Sequence, residues 1–311
     1  MAWHNLLVTE AAHLSVRNSQ LLCRHDNQDL TIPLEDIASI TLESLKTTVT
    51  SRLLSSLAKN NTALITCDDQ HHPNGIMLPL AKHSRQLAVL RMQIGIGKPF
   101  KKRLWQKIIK QKISNQAGIL DWQNIKGINR LNHLSERVTS GDTGNCEATA
   151  ARLYFEGLFI SFKRHDGGYI SSALNYGYAI VRAAIARELI AYGFHPALGV
   201  HHASELNNFN LADDLLEPYR AILDSWAIHS LQLVGRYSRQ KPEAEFDMLS
   251  KEDRAVLTQV LQLKVFINNE KHTLQTAVRL TVKSLLRCIK NKDLNLSLPE
   301  PLLPPSLKTL G

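Results

Sequence analysis

The chain is 311 residues long, which is enough for two domains because domains usually run to about 100 to 200 residues. Its composition, with 44% hydrophobic and 21% charged residues, is typical of an ordinary globular protein. The net charge of +9 and the pI near 9.4 favour polyanionic partners, with nucleic acid first and acidic membranes second.

Membrane-spanning and disulfide-rich proteins are disfavoured. No uncharged apolar run approaches the roughly 18 residues that a membrane span requires, and the first ten residues do not resemble a secretory signal. We therefore expect a cytoplasmic protein without a membrane contact. The cysteines are far apart and form no CxxC pair, so neither a disulfide framework nor a zinc knuckle is indicated; they are Cys23, Cys67, Cys146 and Cys288.

Residues 1–80 are predicted to form a small β-rich domain. Short runs of β-forming residues, from NLLVTE to GIMLPL, alternate with polar turns at hairpin spacing. One helix is expected within this domain, from Thr48 to Lys59. His71 and His72 are better explained by a solvated turn than by a pair of metal ligands.

The hydrophobic period changes from about 2 to about 3.6 residues at 81–84, which we predict to be a linker. The helical period continues over 85–293, which is expected to form a larger, all-α domain, so the predicted fold class is α+β. The segment 294–311 is rich in proline and leucine. We expect it to be extended, either as a disordered end or as an arm that joins a partner.

Two predicted helices contain stripes of basic residues. The second stripe, towards the end of the helical region, can face either water or phosphate. The first has no acid between Gly97 and Ile113, which favours contact with a phosphate backbone over a merely solvated face. The first stripe consists of Lys98, Lys101, Lys102, Arg103, Lys107, Lys110 and Lys112, and the second of Arg279, Lys283, Arg287 and Lys290.

The segment from 193 to 220 has the most informative spacing in the chain. A helix ends at its first glycine, a loop contains His202, and a new helix opens with Asp213, Asp214 and Glu217. Residues three and four apart share a helix face, so both aspartates should lie close to the glutamate. An imidazole beside such acids suits Mg²⁺ or Mn²⁺. The alternative is that the acids only stabilise the first helical turn through its dipole.

The new helix should have recognisable limits. Asn208 or Asn210 is the expected N-cap. Pro218 cannot donate a hydrogen bond to the carbonyl of Asp214, so the helix should kink beside the acids.

A fourth acid, Glu147, is predicted in the first turn of another helix, which Thr143 or Asn145 would cap. Taken alone, this glutamate is explained by the helix dipole. The small residues that follow it, Ala148 and Ala151, would let another helix or a ligand approach closely.

Three long motifs follow one another along the chain: TGNCEATAARLYF, FKRHDGGYISSALNYGYAIVRAAIARELIAYGFHPALGVHH and FNLADDLLEPYR. Together they resemble the CRISPR-associated endonuclease and integrase family Cas1, in particular its type II branch. By motif position, the resemblance implies metal ligands at Glu147, His202 and Glu217, with Asp214 as a nearby auxiliary acid. His201 is the adjacent competitor for the histidine role and fits the motif less well.

The resemblance also implies the reaction. Members of the family serve antiviral defence by inserting short foreign DNA fragments as new spacers into a CRISPR array. With Mg²⁺ or Mn²⁺ in the site, attack of water on a phosphodiester would be nuclease cleavage, and attack of a DNA 3′-hydroxyl would be strand transfer.

The implied partners are double-stranded DNA with single-stranded or branched ends, a second copy of the chain, and the companion protein Cas2 in a four-plus-two assembly. Contact with the type II effector nuclease stays open. Residues 1–80 would provide the dimer and partner contacts. The DNA-binding residues would be Lys101, Lys102, Arg103, Lys107, Lys110, Arg164, Arg279, Lys283 and Arg287.

Two other functions compete with this one. A non-catalytic DNA-binding scaffold would use the positive charge alone, with the acids as helix caps. A mononuclear iron oxygenase is disfavoured because its ligand set needs two histidines and one carboxylate, the reverse of the ratio here.

Overall fold

The computed structural model describes residues 4–26, 28–80, 83–159, 168–233 and 248–302. An N-terminal β-rich part is followed by a mostly helical part, and each has its own hydrophobic core. The predicted α+β class is confirmed. None of the described helices combines the length and apolarity that crossing a membrane would require.

The N-terminal part consists of two four-stranded sheets and one helix. The sheet orders are β4-β3-β2-β6 and β1-β5-β7-β8, and the first strand pairs in parallel with the fifth. Leucine and isoleucine side chains between the sheets and the helix form the core. The elements are β1 (His4–Val8), β2 (His13–Arg17), β3 (Gln20–His25), β4 (Gln28–Pro33), β5 (Ile37–Leu42), β6 (Thr48–Val49), α1 (Ser51–Lys59), β7 (Ala63–Cys67) and β8 (Pro73–Met77).

The helix predicted from Thr48 begins three residues later. Thr48 and Val49 pair with β2 instead, and the Thr50 hydroxyl accepts a hydrogen bond from the backbone N–H of Leu53 at 3.3 Å. A threonine in this position is a favourable N-cap, which the β-forming residues before it had concealed.

The second part is built around two long helices. One of them, α3, packs against α4, α5 and α8, and the other, α6, packs against α7, α8, α9 and α10. The helices are α2 (Gln86–Ile94), α3 (Lys98–Trp122), α4 (Ile128–Arg137), α5 (Cys146–Leu158), α6 (Gly168–Ala191), α7 (Asn210–Leu216), α8 (Arg220–Leu233), α9 (Lys251–Thr258) and α10 (Leu274–Asn291).

Proline interrupts the helix that follows the histidine loop, as predicted. Helix α7 ends at Leu216, a 3₁₀ turn spans Glu217–Tyr219, and α8 begins at Arg220. Because Pro218 has no N–H, one α-helical hydrogen bond is missing, and the chain forms the tighter 3₁₀ turn between the two helices.

The helical part also contains a small sheet that the sequence analysis did not predict. Strands β9 (Lys264–Ile267) and β10 (Glu270–Thr273) form a hairpin through Asn268 and Asn269, both in the left-handed region that asparagine tolerates. Strand β11 (Glu300–Pro301) pairs with the other edge of β9. The region predicted to be all-α is therefore mixed at its C-terminal end.

The start of the proline- and leucine-rich segment packs against the chain's own helices. Leu296 and Leu298 are buried in the larger core, and β11 follows them. The described part of this segment, up to residue 302, is extended but is not a free arm. Residues 303–311 lie outside the described part of the chain.

Buried polar contacts join the two parts of the molecule. Glu43, which follows β5, forms an ion pair with Arg254 of α9 at 2.7 Å and accepts a hydrogen bond from the Tyr176 hydroxyl at 3.0 Å. Arg187 of α6 donates to the backbone carbonyl of Ala38 at 2.8 Å. Helix α6 is thus fixed against the N-terminal sheet as well as within the helical core.

Candidate active site

Two of the predicted site acids converge on a lysine of α3. The ammonium of Lys112 lies 2.6 Å from Oε1 of Glu147 and 2.5 Å from Oε2 of Glu217. Glu217 is 4% exposed and Lys112 7% exposed. Lys112 was predicted to belong to a phosphate-binding stripe. This prediction is wrong, because its side chain points into the protein between the two carboxylates.

Both oxygens of Glu217 are engaged by cations. Besides the contact with Lys112, Nε of Arg220 donates to Oε1 at 2.8 Å. Burial alone would raise the pKa of Glu217, but Lys112 and Arg220 outweigh it and lower the pKa to about 2. Burial disfavours the charged form of Lys112, yet the two glutamates raise its pKa above the usual value. Glu217, Lys112 and Arg220 are therefore all charged at neutral pH.

The backbone beside Glu217 is held by Asn115 of α3. Its side-chain amide donates to the carbonyl of Pro218 at 2.7 Å and to that of Pro299 at 2.9 Å. Asn115 is 2% exposed, so both contacts are shielded from water. Asn115 thereby fixes two segments to α3: the 3₁₀ turn Glu217–Tyr219, called the acid turn below, and the C-terminal strand segment, which consists of Pro299 and β11.

Glu147 lies in the first turn of α5 and Asn145 occupies the N-cap position, both as predicted, but the capping hydrogen bonds come from a different side chain. The carboxylate of Asp142 accepts hydrogen bonds from the backbone N–H groups of Cys146 at 3.0 Å and Glu147 at 2.9 Å. Asn145 adopts a left-handed conformation and makes no capping hydrogen bond with its side chain. Asp142 lies four residues before the first residue of α5, outside the adjacent positions at which an N-cap residue is expected.

Asp214 organises the loop that contains the histidines. Its fully buried carboxylate accepts hydrogen bonds from the backbone N–H groups of Val200, His201 and His202, and lies 2.7 Å from Nδ1 of His202. The hydrogen bond that His202 donates to Asp214 raises the pKa of this histidine, against the opposing effect of burial. The auxiliary acid of the sequence analysis is therefore the residue that orients the imidazole.

The loop passes very close to α7 at Gly199. A Cβ atom at this position would lie 2.2 Å from the carbonyl oxygen of His202 and 2.9 Å from Oδ2 of Asp214. Only glycine permits this approach. The predicted caps of α7 are also corrected: its N-cap is Phe209, without a side-chain hydrogen bond, and the amide of Asn210 instead braces the loop.

Helices α2 and α3 hold the other side of the histidine loop. The indole of Trp105 stacks on His201 at 4.0 Å between ring centroids and meets His202 edge-on at 5.6 Å. The side chain of Gln93 bonds the backbone of His195, and Lys101 donates to the carbonyl of Gly199 at 2.9 Å. Trp105 and Gln93 were not predicted as site residues, because in the sequence the first resembles an ordinary core residue of a helix and the second an ordinary polar one.

These residues partly fit a divalent metal. Across the described part of the chain, no three His, Cys, Asp or Glu side chains are grouped as a ready-made metal site. However, Glu147 and Glu217 already share one cationic group, and hard carboxylate oxygens are what Mg²⁺ and Mn²⁺ prefer. With Nδ1 of His202 paired to Asp214, Nε2 is the ring nitrogen available to a ligand, an arrangement typical of metal-binding histidines.

Comparisons with known proteins place the chain in a family. The family model described as "CRISPR associated protein Cas1" matches residues 6–262. A CRISPR-associated endonuclease Cas1 from Neisseria meningitidis serogroup C is 42% identical over 303 residues, which cover 96% of this chain and 97% of the relative. The chain belongs to the Cas1 family. The resemblance inferred from the three motifs is confirmed, as is the prediction of an enzyme of the endonuclease/integrase class.

Solved structures share the Cas1 fold of this chain at low sequence identity. A casposase bound to integration product has a TM-score of 0.73 and 19% identity, with coverage of 98% of this chain and 94% of that one. A Cas6-RT-Cas1–Cas2 complex has a TM-score of 0.71 and 18% identity, with coverage of 94% of this chain and 35% of that one.

The basic residues predicted to bind DNA in this Cas1 chain include some with internal contacts and some that are exposed, and Arg287 is both. Three make internal contacts: Lys101 as above, Lys107 with the carbonyl of Leu294 at 2.7 Å, and Arg287 with the carbonyl of Asn295 at 2.8 Å. Both predicted stripes therefore flank the same short segment. Lys110 is half-buried, and Arg164 lies outside the described residues. The exposed members are Lys102, Arg103, Arg279, Lys283 and Arg287.

A cavity of about 590 Å³ opens beside the histidine loop. His202 and Arg220 line it together with residues of α6, among them Tyr178 and Arg182. The Arg220 guanidinium lies over the Tyr178 ring, 4.7 Å from its centroid. The candidate site thus borders open space on its histidine side, and Arg182, Arg220 and Asp213 are the charged residues of the wall.

Proposed function

We propose that this Cas1 chain is a divalent-metal-dependent integrase that inserts short foreign DNA into a CRISPR array by attack of a DNA 3′-hydroxyl on a phosphodiester. The observation that supports this best is the convergence of Glu147 and Glu217, from separate elements, on one cation position. The positively charged, exposed residues of α3 and α10 supply the attraction for DNA phosphates.

Glu147, Glu217 and Nε2 of His202 are the proposed ligands of Mg²⁺ or Mn²⁺. When bound, such an ion polarises a scissile phosphodiester and neutralises the charge that develops on it. Asp214 keeps the Nδ1 proton of His202 in place, so that Nε2 presents its lone pair. Arg220 holds Oε1 of Glu217, and Oε2 contacts the ammonium that Glu217 shares with Glu147.

The proposed partners follow from the charge and from the relatives. We expect the chain to bind double-stranded DNA with single-stranded or branched ends and to act in the cytoplasm as a homodimer. One of the structural neighbours is a complex that contains both Cas1 and Cas2, which supports Cas2 as the companion of this chain. Residues 1–80 are proposed to make the dimer and Cas2 contacts, and a contact with the type II effector nuclease is a further proposal.

The test is Mn²⁺-dependent nicking of branched DNA by the full-length protein. Glu147→Ala should abolish nicking while DNA affinity stays within a few-fold of the unsubstituted protein, because the exposed basic residues are untouched. Glu156→Ala, an exposed acid on the same helix, is the matched control and should nick normally.

The same experiment addresses a scaffold without catalysis, in which acids only cap helices. That alternative is disfavoured because Glu217 is buried in a 3₁₀ turn between two cations, which helix capping does not require. Nicking that persists in Glu147→Ala would support the scaffold and refute the proposed centre.

A further inference from the structure

Lys112 is the buried charge that the proposed reaction leaves without a role. It enters the site from the middle of α3, and its ammonium contacts one oxygen of each acid at 2.5–2.6 Å. A buried lysine is costly unless it is paired, and here it is paired with the two carboxylates proposed to hold the metal ion. The ammonium therefore sits at the position that the two acids share.

A metal ion cannot share this position with the ammonium. Oε1 of Glu217 accepts from Arg220 and Oε2 from Lys112, so an ion that bridges Oε2 of Glu217 and Oε1 of Glu147 must displace the ammonium that lies between these two oxygens. The Arg220 guanidinium is also packed over the Tyr178 ring and is 24% exposed. Lysine, in contrast, is a single charge on a flexible four-carbon stem and moves more readily than a stacked guanidinium.

We propose that Lys112 is a positioning residue that occupies the shared cation position in metal-free protein and competes with Mg²⁺ or Mn²⁺ for Glu147 and Glu217. This inference rests on the proposed metal centre. The ammonium holds the two acids together while no metal is bound, so that they neither repel each other nor draw water into the core. The metal ion then enters a site whose carboxylates already face one another.

A purely structural role for Lys112 predicts the opposite sign. If the ammonium only ties α3 to α5 and the acid turn, its removal weakens metal binding because the acids move apart. If it competes, its removal strengthens metal binding because a positive charge within about 4 Å of a divalent ion is strongly unfavourable. The sign of the change in Mn²⁺ affinity therefore separates the two roles.

The experiment measures Mn²⁺ binding to full-length protein by the electron paramagnetic resonance signal of free Mn²⁺. Lys112→Met keeps the length and apolar stem of the side chain and should bind Mn²⁺ about tenfold more tightly or better. Lys107→Met removes another part-buried ammonium of the same helix and should leave the affinity unchanged. In EDTA the Lys112→Met protein should melt at a lower temperature than the unsubstituted one, and Mn²⁺ should restore most of the loss.

Unchanged or weaker Mn²⁺ binding by Lys112→Met would overturn the inference and leave the metal centre intact. If Glu147→Gln binds Mn²⁺ as well as the unsubstituted protein, the metal centre itself is refuted, and the competition with it.

A second measurement needs no variant, in case Lys112→Met does not fold without metal. Acetylation of the unsubstituted protein, read by mass spectrometry, should modify Lys112 several-fold faster with Mn²⁺ than with EDTA, while Lys107 reacts equally in both. Equal rates at Lys112 would overturn the inference.

Discussion

Asp214→Asn removes one charge and almost no volume from the residue that organises the histidine loop. In the structure, Oδ2 accepts from the N–H groups of Val200 and His201, while Oδ1 faces both the N–H and Nδ1 of His202. Asparagine keeps one acceptor oxygen. If that oxygen serves Val200 and His201, its NH₂ group opposes two donors of His202.

Each buried donor left unsatisfied costs about 1–3 kcal/mol, so two of them should lower the free energy of unfolding by about 2–6 kcal/mol. His202 can relieve one conflict by moving its proton to Nε2, but that tautomer no longer offers Nε2 to a metal ion. We therefore expect Asp214→Asn to be both less stable and deficient in metal-dependent nicking.

Urea denaturation of the metal-free protein measures the first effect, and Mn²⁺-dependent nicking below the unfolding transition measures the second. Asp213→Asn is the control, because Asp213 is the neighbouring acid and has few contacts: it accepts one hydrogen bond from the side-chain amide of Asn207 at 2.7 Å and lies 4.0 Å from the half-exposed Arg182. It should cost about 1 kcal/mol or less. An Asp214→Asn protein with the denaturation midpoint and nicking rate of the control would refute the role assigned to this carboxylate.

The other predictions concern charge and ring stacking. The pKa of Glu217 is lowered from 4.5 to about 2, so its ion pairs should add up to about 3 kcal/mol to the free energy of unfolding above pH 4.5. This contribution should disappear as the pH falls from 4.5 towards 2. Urea titrations of the metal-free protein should therefore show less acid sensitivity in Glu217→Gln than in the unsubstituted protein. Trp105→Phe should lose about 0.5–1.5 kcal/mol of stacking on His201 and slow nicking by up to about tenfold, with DNA affinity retained; unaltered nicking would contradict the positioning role of the indole. Lys283→Ala should reduce the slope of log affinity for DNA against log salt by about 0.9 if this exposed lysine contacts a phosphate, and a slope equal to that of the unsubstituted protein would exclude the contact.

The sequence indicated where the candidate acids lie in the secondary structure, but not which side chains they contact. The break at Pro218 and the helical position of Glu147 follow from local rules for proline and for helix starts, and both are present in the structure. The position of Lys112 does not follow from such rules. The side chains of a helix point in all directions around its axis. Only the packing of α5 and the acid turn against α3 determines that this lysine, one of the seven basic residues in the stripe, points inward.

The stacking of Trp105 on His201 and the double contact of Asn115 were equally beyond prediction, because each joins residues about 100 or more positions apart. The β9–β10 hairpin is a different case. Its Asn268-Asn269 turn and alternating Val265, Phe266 and Ile267 are local signals of a hairpin, but four-residue strands between two strong helical patterns were too short to be recognised.

The amide of Asn115 gives the C-terminal strand segment a part in the chemistry of a site that is distant in sequence. Its two hydrogens serve two carbonyls, one directly after Glu217 and one directly before β11. Any change that separates β11 from β9 would break the hydrogen bond between Asn115 and Pro299 and would hold the backbone beside Glu217 less firmly. The last described residues of the chain thus support the acid turn, and alterations near residue 300 should slow metal-dependent nicking if Glu217 belongs to the proposed metal centre.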